Sequence, residues 1–326
     1  MVQTLLIYSM GEVIGDGLIK LPFIAGLRAA FPDARITWCA AKGTTVYDGP
    51  LKRVVAGYVD EIIKDGVTGA AALDVLPWVR PLGGRTFDLV IDTQENLRRS
   101  LVARRAVAGG GRFVSAAMQA RSPDWPPAVV DRLARLLALA TDGQGALRPL
   151  ALTEADAVSA ARALLPDGPV YVGLAPGAGG QEKRWPLESY LDLARAQQAV
   201  GRTPVFFFGP DEAADAAIAR GEVPNALFPE ADRTDGFAGV KGPILAIALA
   251  GRLSAAVAND AGPGHMLAAG GAPLLSLQLN RRKAVKFKPA AQRLEMLCAE
   301  DYGEGMAALP PQAVKAALDT LIAGVS

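Results

Sequence analysis

Two spacings of hydrophobic residues alternate along the chain. Short runs rich in β-branched and aromatic residues predict buried strands, and apolar residues three and four positions apart predict helices. In the first half, strands are predicted at residues 4–8, 35–40, 60–63 and 86–92, and helices at residues 18–30 and 96–108. Strands that alternate with helices predict βαβ units and a parallel sheet, which binds ligands at the carboxyl ends of its strands.

The same alternation restarts in the second half. Strands are predicted at residues 171–174, 204–208, 255–258 and 274–277, and helices near residues 187–200, 212–219, 243–250, 265–269 and 312–322. A stretch rich in glycine, proline, threonine and aspartate surrounds an alanine-rich helix, residues 154–165, and separates the halves. We therefore predict two α/β domains, residues 1–165 and 166–326, with a ligand-binding cleft between them. Whether the terminal helix, residues 312–322, packs on the second domain or back on the first is not decided by the sequence.

Composition narrows the class of protein. Of 326 residues, 51% are hydrophobic and 21% charged, and the formal net charge is +1. These values argue against a disordered or strongly nucleic-acid-binding chain. Two cysteines far apart, Cys39 and Cys298, and a single histidine do not supply a zinc site of the usual ligand spacing, so no metal is expected. The first residues are interpreted as a strand and not as a signal peptide, and no apolar run approaches the roughly 18 residues of a membrane span, so a soluble or peripheral protein is expected.

One turn combines the features of an anion site. Residues 170–186 read VYVGLAPGAGGQEKRWP, a strand followed by a glycine-rich turn, then Lys183, then Pro186 at the first position of a predicted helix. Glycines let a backbone approach a ligand closely, and a helix start offers free N–H groups to a phosphate. The alternative is an ordinary β–α turn whose glycines serve only geometry. Lys183 and a second turn favour the anion site.

The second turn lies at residues 257–270, which read VANDAGPGHMLAAG. The predicted strand ends at Ala258 with Asp260 at its carboxyl end, and Gly262 and Gly264 loosen the turn. A helix is predicted to start near Pro263 or Gly264, which leaves its first amides free for an acceptor oxygen. Taken singly, Asp260 is explained more simply as a helix cap, and His265 as a half-buried side chain with satisfied hydrogen bonds.

Carboxylates stand near two further strand ends. In the stretch FFFGPDE, Asp211 is placed to accept hydrogen bonds from both hydroxyls of a ribose, as acidic residues do in dinucleotide folds. Glu212 is at least as simply explained by the dipole of the following helix. In the first half, Asp16 is the candidate general base, because this half contains no histidine. A helix cap is its alternative role, and Glu12 is the reserve candidate.

These stretches together form a recognisable series. The chain reads IGDGLIKLP, FDLVIDTQ, APGAGGQEKRWP, FFFGPDE and ANDAGPGHMLAAGGAP in that order. The series resembles the glycosyltransferase family 9 enzymes, the ADP-heptose:lipopolysaccharide heptosyltransferases, over nearly the full chain. The KRWP and NDAGPGH elements together make the resemblance specific.

The resemblance implies a GT-B fold, in which two Rossmann-like domains bind the acceptor and the nucleotide sugar respectively. It implies inverting transfer of a heptose from ADP-heptose, which is the donor substrate and not a cofactor, to a lipopolysaccharide-core or related envelope acceptor. The chain contains no Asp-x-Asp, so a metal-bound diphosphate is not expected. Lys183 is expected to act in its place.

Positions that match the family's motifs take over its roles. Asp16 resembles the catalytic base and Lys183 the catalytic lysine that meets the donor phosphates. Asp211 resembles the residue that holds the adenosine ribose, and Asp260 begins the D-x-G-x-x-H element around the diphosphate and sugar. The implied donor-binding positions are Ala178, Gly179, Gly180, Lys183, Asp211, Asp260, Ala261, Gly262 and His265. Gln94 and Arg98 are the predicted acceptor-binding positions.

Three features depart from the family's pattern. After the strand at residues 274–277 the chain reads QLNRRKAVKFKP, where the family often has Phe-Gly-Pro-Thr. The loop at residues 11–15 is slightly long, which leaves the choice between Asp16 and Glu12 open. Ala178 and Gly179 stand where the family has hydroxyl-bearing phosphate contacts, so backbone amides would serve there.

Two basic clusters and two tryptophans have alternative interpretations. The clusters are Arg98, Arg99, Arg104 and Arg105, and Arg281, Arg282, Lys283, Lys286 and Lys288. Solvated surface explains most of them. The functional alternative is attraction to a phosphorylated glycolipid at the cytoplasmic face of the inner membrane, worth about 1 kcal/mol per basic residue. Trp78 and Trp125, each beside a proline, are explained by loop packing or by contact with that surface.

The leading hypothesis is therefore a cytoplasmic, peripheral heptosyltransferase with a nucleotide sugar and a phosphorylated glycolipid as partners and no nucleic acid. One rival is a GT-B enzyme that uses another nucleotide sugar or a protein acceptor. The other is a relative that binds a nucleotide sugar without turnover.

Overall fold

Two parallel sheets organise the chain. The computed structural model describes residues 2–41, 43–64, 74, 76, 78–232, 237 and 239–324. The chain divides into an N-terminal unit, Met1–Arg148, and a C-terminal unit, Pro149–Ser326. Each unit is built around one five-stranded parallel sheet within the described residues, which confirms the predicted fold class.

The N-terminal sheet has the strand order β3-β2-β1-β4-β5. Its strands are β1 Thr4–Ser9, β2 Arg35–Ala40, β3 Glu61–Lys64, β4 Phe87–Asp92 and β5 Val107–Ser115. The helices of this unit are α1 Ile14–Ala30, α2 Leu97–Ala103, α3 Ala116–Gln119 and α4 Val129–Ala140. β1 and β4 pair directly, with Leu5 opposite Leu89. The order of the strands therefore reverses between these two.

The predicted helix over residues 96–108 is wrong at its carboxyl end. Helix α2 stops at Ala103, and residues 107–115 form β5, which pairs with β4 across an irregular register. Three consecutive glycines within β5 concealed the strand, since glycine has low strand propensity. Helix α1 also starts four residues earlier than predicted, at Ile14.

The C-terminal sheet has the order β10-β9-β8-β6-β7. Its strands are β6 Tyr171–Ala175, β7 Thr203–Phe206, β8 Ala255–Asn259, β9 Leu274–Gln278 and β10 Leu294–Cys298. Its helices are α5 Ala155–Leu164, α6 Leu187–Ala199, α7 Ala213–Glu222, α8 Pro229–Asp232, α9 Pro243–Ala250, α10 Gly262–Ala269, α11 Arg281–Lys286 and α12 Pro311–Ala323. The strand order reverses between β6 and β8.

The helices at the two ends of this unit, α5 and α12, both pack within it. Helix α5, which the sequence analysis placed before the domain boundary at residue 165, packs on α9 in the C-terminal unit. Helix α12 packs on α6 and on strands β8, β9 and β10 of the same unit. Its buried residues Val314 and Leu318 join the core formed by the sheet.

The central strands of both sheets are buried on both faces. Leu5, Leu6 and Ile7 of β1 have no solvent exposure, and β8 is buried along its length. This explains why these strands read as continuous apolar runs. In such sheets, ligands bind beyond the carboxyl ends of the strands where the order reverses. We call these places the N-terminal switch point, after β1 and β4, and the C-terminal switch point, after β6 and β8. No helix among the described residues is long and apolar enough to cross a bilayer.

Candidate active site

The two turns of the C-terminal switch point are joined by one buried side chain. Asn259, the last residue of β8, donates from Nδ2 to the carbonyl of Pro176 at 2.6 Å. Its Oδ1 accepts from the backbone N–H of Trp185 and from the hydroxyl of Tyr190, each at 3.2 Å. Burial raises the pKa of Tyr190, which keeps that hydroxyl protonated. Asn259 therefore fixes the turn after β6 to the end of β8.

Lys183 and Asp260 meet at this switch point. Lys183 ends the short helical turn Gln181–Lys183, and its Nζ lies 3.0 Å from Oδ2 of Asp260. The Lys183 side chain is 31% exposed and that of Asp260 is 16% exposed, so a ligand in solvent can reach both. Asp260 does not cap α10, whose N-cap residue is Ala261.

Helix α10 presents its first turn beside this ion pair. No side chain caps its start, so the first N–H groups stay available to an acceptor. Gly264 permits close packing on β8, because an added Cβ would lie 3.2 Å from the Cβ of Ala258. His265 is buried in the same turn. The helix begins at Gly262, within two residues of the predicted start.

The first glycine of the glycine-rich turn has a structural role. A Cβ on Gly177 would clash with the carboxylate of Glu212. That carboxylate accepts from the N–H of Gly209 at 2.7 Å and lies 3.7 Å from Arg184, which donates to the carbonyl of Ala178. The first glycine and Glu212 therefore hold the turn in shape.

Three of the remaining predicted donor-binding positions reach the surface in the turns after β6 and β7. Gly179 is exposed with open space around it, and Gly180 is half-buried. Asp211 is exposed within the short helical turn Pro210–Glu212. Its predicted contact with a ribose stays a prediction.

A pocket that is open to solvent extends from the ion pair toward strand β9. Its lining residues are Glu182, Lys183, Asp260, Gln278, Leu279, Asn280 and Lys283. The last four follow or end β9, the strand next to β8, and sequence reasoning did not include them among the donor contacts. The only signal available was that QLNRRK departs from the family's usual text at this position.

At the N-terminal switch point, Glu12 is buried and fully engaged. Its side chain is 1% exposed and its Oε1 lies 3.1 Å from Nζ of Lys20, while Oε2 accepts from the hydroxyl of Thr45 at 2.7 Å. Lys20 also donates to the hydroxyl of Ser9 at 2.8 Å. These contacts hold the loop between β1 and α1.

Asp16 differs from Glu12 in its exposure to solvent and in its position on helix α1. It lies in the first turn of α1 and is exposed, and the helix is capped at Val13 without a side-chain hydrogen bond. Asp16 is therefore not the N-cap. Tyr47 steadies the same turn, because its hydroxyl donates to the carbonyl of Gly17 at 2.8 Å. Asp16 is thus a solvent-accessible carboxylate on a fixed helical turn.

A second buried carboxylate lies at the end of β4. Asp92 has no solvent exposure, and this burial raises its carboxyl pKa to about 6 despite three donors. It accepts from the hydroxyls of Ser100 and Ser115 and from the backbone N–H of Gln94 at 3.0 Å. Sequence reasoning quoted this aspartate only as part of a strand.

The predicted acceptor positions have different environments. Gln94 is 8% exposed, and neither polar atom of its side-chain amide has a hydrogen-bond partner among the described residues. Arg98 is exposed on α2. Within the same basic cluster, Arg105 donates to the carbonyls of Leu76 and Val79, so that arginine supports a loop.

Comparison with known proteins identifies relatives of this fold. A family model described as glycosyltransferase family 9 (heptosyltransferase) matches residues 75–307, well over half of the chain. A comparison with curated protein sequences gave no match.

Solved structures match over almost the full chain. A glycosyltransferase of family 9 from Veillonella parvula DSM 2008 has a TM-score of 0.67 and 19% identity, and the match covers 99% of this chain and 97% of that one. The E. coli ADP-heptose LPS heptosyltransferase II gives 0.61 and 20% identity, with 99% of both chains covered. E. coli heptosyltransferase WaaC with ADP-2-deoxy-2-fluoro heptose gives 0.64 and 18% identity, with coverage of 98% and 99%. These likenesses confirm the predicted GT-B fold.

Proposed function

Because the chain belongs to glycosyltransferase family 9, we propose that it transfers a heptose from ADP-heptose to a hydroxyl of a cell-envelope glycolipid, with inversion at the anomeric carbon. The chain is a glycosyltransferase of the heptosyltransferase family, and the proposal concerns its substrates and residues. One observation carries it: a lysine, a carboxylate and the uncapped start of α10 meet at the C-terminal switch point.

The donor half of the proposal rests on the chemistry of the leaving group. When ADP leaves the anomeric carbon, negative charge grows on its β-phosphate. Lys183 and the free amides of α10 supply fixed positive potential, which stabilises that charge. Groups directed at charge that grows in the transition state raise the rate as well as the affinity. A related E. coli enzyme was solved with an ADP-heptose analogue, which supports the choice of probe.

The acceptor half assigns the base to Asp16. Its carboxylate takes the proton of the acceptor hydroxyl as the acceptor oxygen bonds to the anomeric carbon. The bond from that carbon to the β-phosphate oxygen breaks, and its electron pair leaves with ADP. This single displacement inverts the anomeric centre and needs no nucleophile from the protein. Asp16 suits the role because it is exposed, whereas Glu12 is already paired with Lys20.

The proposed acceptor is a phosphorylated glycolipid at the cytoplasmic face of the inner membrane. Gln94 is proposed to contact it, since its buried amide lacks a partner among the described residues. Arg98 and Arg104 are exposed and would attract its phosphates, and Trp78, which is 73% exposed, would contact the membrane surface.

A second candidate is transfer from a different nucleotide sugar. It is favoured by the turn after β9, where Gln278, Asn280 and Lys283 line the pocket in place of the family's usual residues. This alternative keeps the roles of Lys183 and Asp16 and changes only the donor.

A panel of nucleotide sugars tests the proposal. At a donor concentration 100 times its Kd, binding raises the free energy of unfolding by about 2.7 kcal/mol. We expect ADP-heptose to raise the melting temperature and UDP- and GDP-sugars to leave it unchanged. If only a uridine or guanosine sugar raised the melting temperature, that nucleotide sugar would be the donor in place of ADP-heptose. Binding of ADP-heptose without release of ADP, in the presence of lipopolysaccharide-core acceptors, would indicate a relative without this turnover.

A further inference from the structure

The pocket at the C-terminal switch point contains one cation that the proposed mechanism does not use. Its charged lining consists of Lys183, Asp260, Glu182 and Lys283. Lys183 is paired with Asp260 at 3.0 Å. Lys283 forms no ion pair with any residue in the described ranges, and its side chain is exposed. Lys283 is therefore the lysine of this pocket that can take an anion without giving up a carboxylate.

The backbone that carries Lys283 is fixed. Asn280 caps helix α11 by accepting from the N–H of Lys283 at 3.0 Å. The neighbouring Arg281 is held to the surface by Asp301 and, through its N–H, by Glu300 at 2.7 Å. Ala284, one residue further on, is buried. Local hydrogen bonds and packing thus fix the Lys283 backbone at the edge of the pocket.

A second observation in the same pocket points to a ligand. Gln278, the last residue of β9, is 1% exposed, and its Nε2 donates to the hydroxyl of Ser276 at 2.8 Å. Its Oε1 is buried and has no hydrogen-bond partner among the described residues. An unsatisfied buried acceptor is unfavourable, so a ligand group that donates a hydrogen bond to it would remove that penalty. The pocket that Gln278 and Lys283 line therefore offers a cation for the diphosphate and a buried acceptor for a hydroxyl or amino group of the same nucleotide sugar.

We propose that Lys283 is a second diphosphate-binding residue, which holds the nucleoside diphosphate of the donor together with Lys183. The inference rests on the proposed function in so far as the ligand is a nucleotide sugar. It adds that this chain binds the diphosphate between two lysines from separate turns, one after β6 and one after β9. Lys283 lies in the QLNRRK stretch, so the contact belongs to this chain's own sequence and not to the motifs it shares with its family.

The test compares Lys283→Ala with Arg282→Ala, a matched control. Arg282 is the adjacent residue, carries the same charge, is exposed and is not part of the pocket lining. The probes are ADP and AMP, titrated by calorimetry into the full chain. We expect Lys283→Ala to weaken ADP binding by about tenfold or more and AMP binding much less, since a charge-assisted hydrogen bond to the β-phosphate is lost. Arg282→Ala should change ADP binding by less than about twofold, and Lys283→Arg should restore part of the affinity.

The outcomes separate this inference from the proposed function. If wild type binds ADP and Lys283→Ala binds it equally well, or if both alanine variants lose the same affinity, Lys283 is not a diphosphate ligand. If wild type binds UDP or GDP and not ADP, the adenine donor is wrong, and titration of wild type and the same variants with that nucleotide decides the role of Lys283. If wild type binds no nucleoside diphosphate, both proposals fail.

Discussion

The two switch points of this protein share a geometry and differ in chemistry. Both lie beyond the carboxyl ends of adjacent parallel strands, β1 with β4 and β6 with β8. At the C-terminal switch point a lysine, an uncapped helix start and glycine turns favour an anion. At the N-terminal one the charged groups around the strand ends include three carboxylates, Glu12, Asp16 and Asp92. The order of the strands fixes where each switch point lies, and the side chains at its strand ends decide which chemical groups it can bind.

The largest expected effect is the loss of transfer activity on substitution of Asp16, the exposed carboxylate of the N-terminal switch point. Asp16→Asn should lower kcat by about 10²- to 10⁴-fold, because the amide cannot accept the acceptor's proton. Donor affinity should be kept, since the donor contacts are proposed at the other switch point. The measurements are steady-state transfer and ADP titration. Asp33→Asn, at an exposed carboxylate just beyond the other end of α1, is the control and should retain activity. Full activity of Asp16→Asn would move the base elsewhere.

Glu12 offers the sharpest contrast with Asp16 within one switch point. Glu12→Gln should lower the free energy of unfolding by about 3 to 5 kcal/mol, because it leaves Lys20 charged in a site where its side chain is 14% exposed. Urea unfolding measures this loss. Glu12→Gln combined with Lys20→Met should recover much of it, since no buried charge then lacks a partner. A stable Glu12→Gln protein that has lost transfer would instead identify Glu12 as the base.

The third prediction concerns the ion pair of the C-terminal switch point. Lys183→Ala should lower kcat/KM by about 10²- to 10³-fold, because one group that stabilises the leaving phosphate is removed. The substitution also leaves Asp260 without its partner, so the double variant Lys183→Ala, Asp260→Asn separates the two effects. If Lys183 acts on the phosphate, the double variant stays defective. Recovery of kcat/KM in the double variant would reduce the lysine to a partner of Asp260.

Sequence reasoning found the strands that contain a run of apolar or β-branched residues, including the half-exposed β3, and missed β5 and β10. The β1 run TLLIYS and the β8 run AAVAN follow from composition. Strand β5 contains three glycines and β10 is a short, half-exposed edge strand, so local propensity did not reveal either. Pairing with β4 and β9 forms them, and pairing between distant segments is not visible in a local pattern.

The same division holds for the candidate site. Lys183, Asp260 and Asp16 could be named because each takes a functional position in a stretch that matches a motif of a known family. Asn259 could not, since its bonds to Pro176 and Trp185 exist only because β6 lies beside β8. Lys283 likewise enters the pocket through the pairing of β9 with β8. Residue type predicted chemistry, and the order of the strands decided which residues meet.

The last prediction uses pH to probe the buried carboxylate of the N-terminal switch point. The pKa of Asp92 is raised by burial to about 6, above its ordinary value of 3.8, so the folded state binds this proton more tightly than the unfolded state. The resulting stability is fully present below about pH 4 and is lost as pH rises through 6. Two pKa units correspond to about 3 kcal/mol. The free energy of unfolding of wild type minus that of Asp92→Asn should therefore fall by about that amount from about pH 3 to about pH 8.

Urea unfolding of both proteins at a series of pH values measures this difference, and all other titrating groups cancel in it. The sign matters for the comparison between the switch points. A falling difference means that the buried Asp92 carboxyl binds its proton more tightly in the folded state than in the unfolded state, while its oxygens accept the hydrogen bonds that hold Gln94. Asp16 is then the carboxylate of this switch point that is exposed to solvent. A difference that is flat or rises with pH would mean that the three donors stabilise the ionised form of Asp92 as well as water does, so that burial does not raise its pKa.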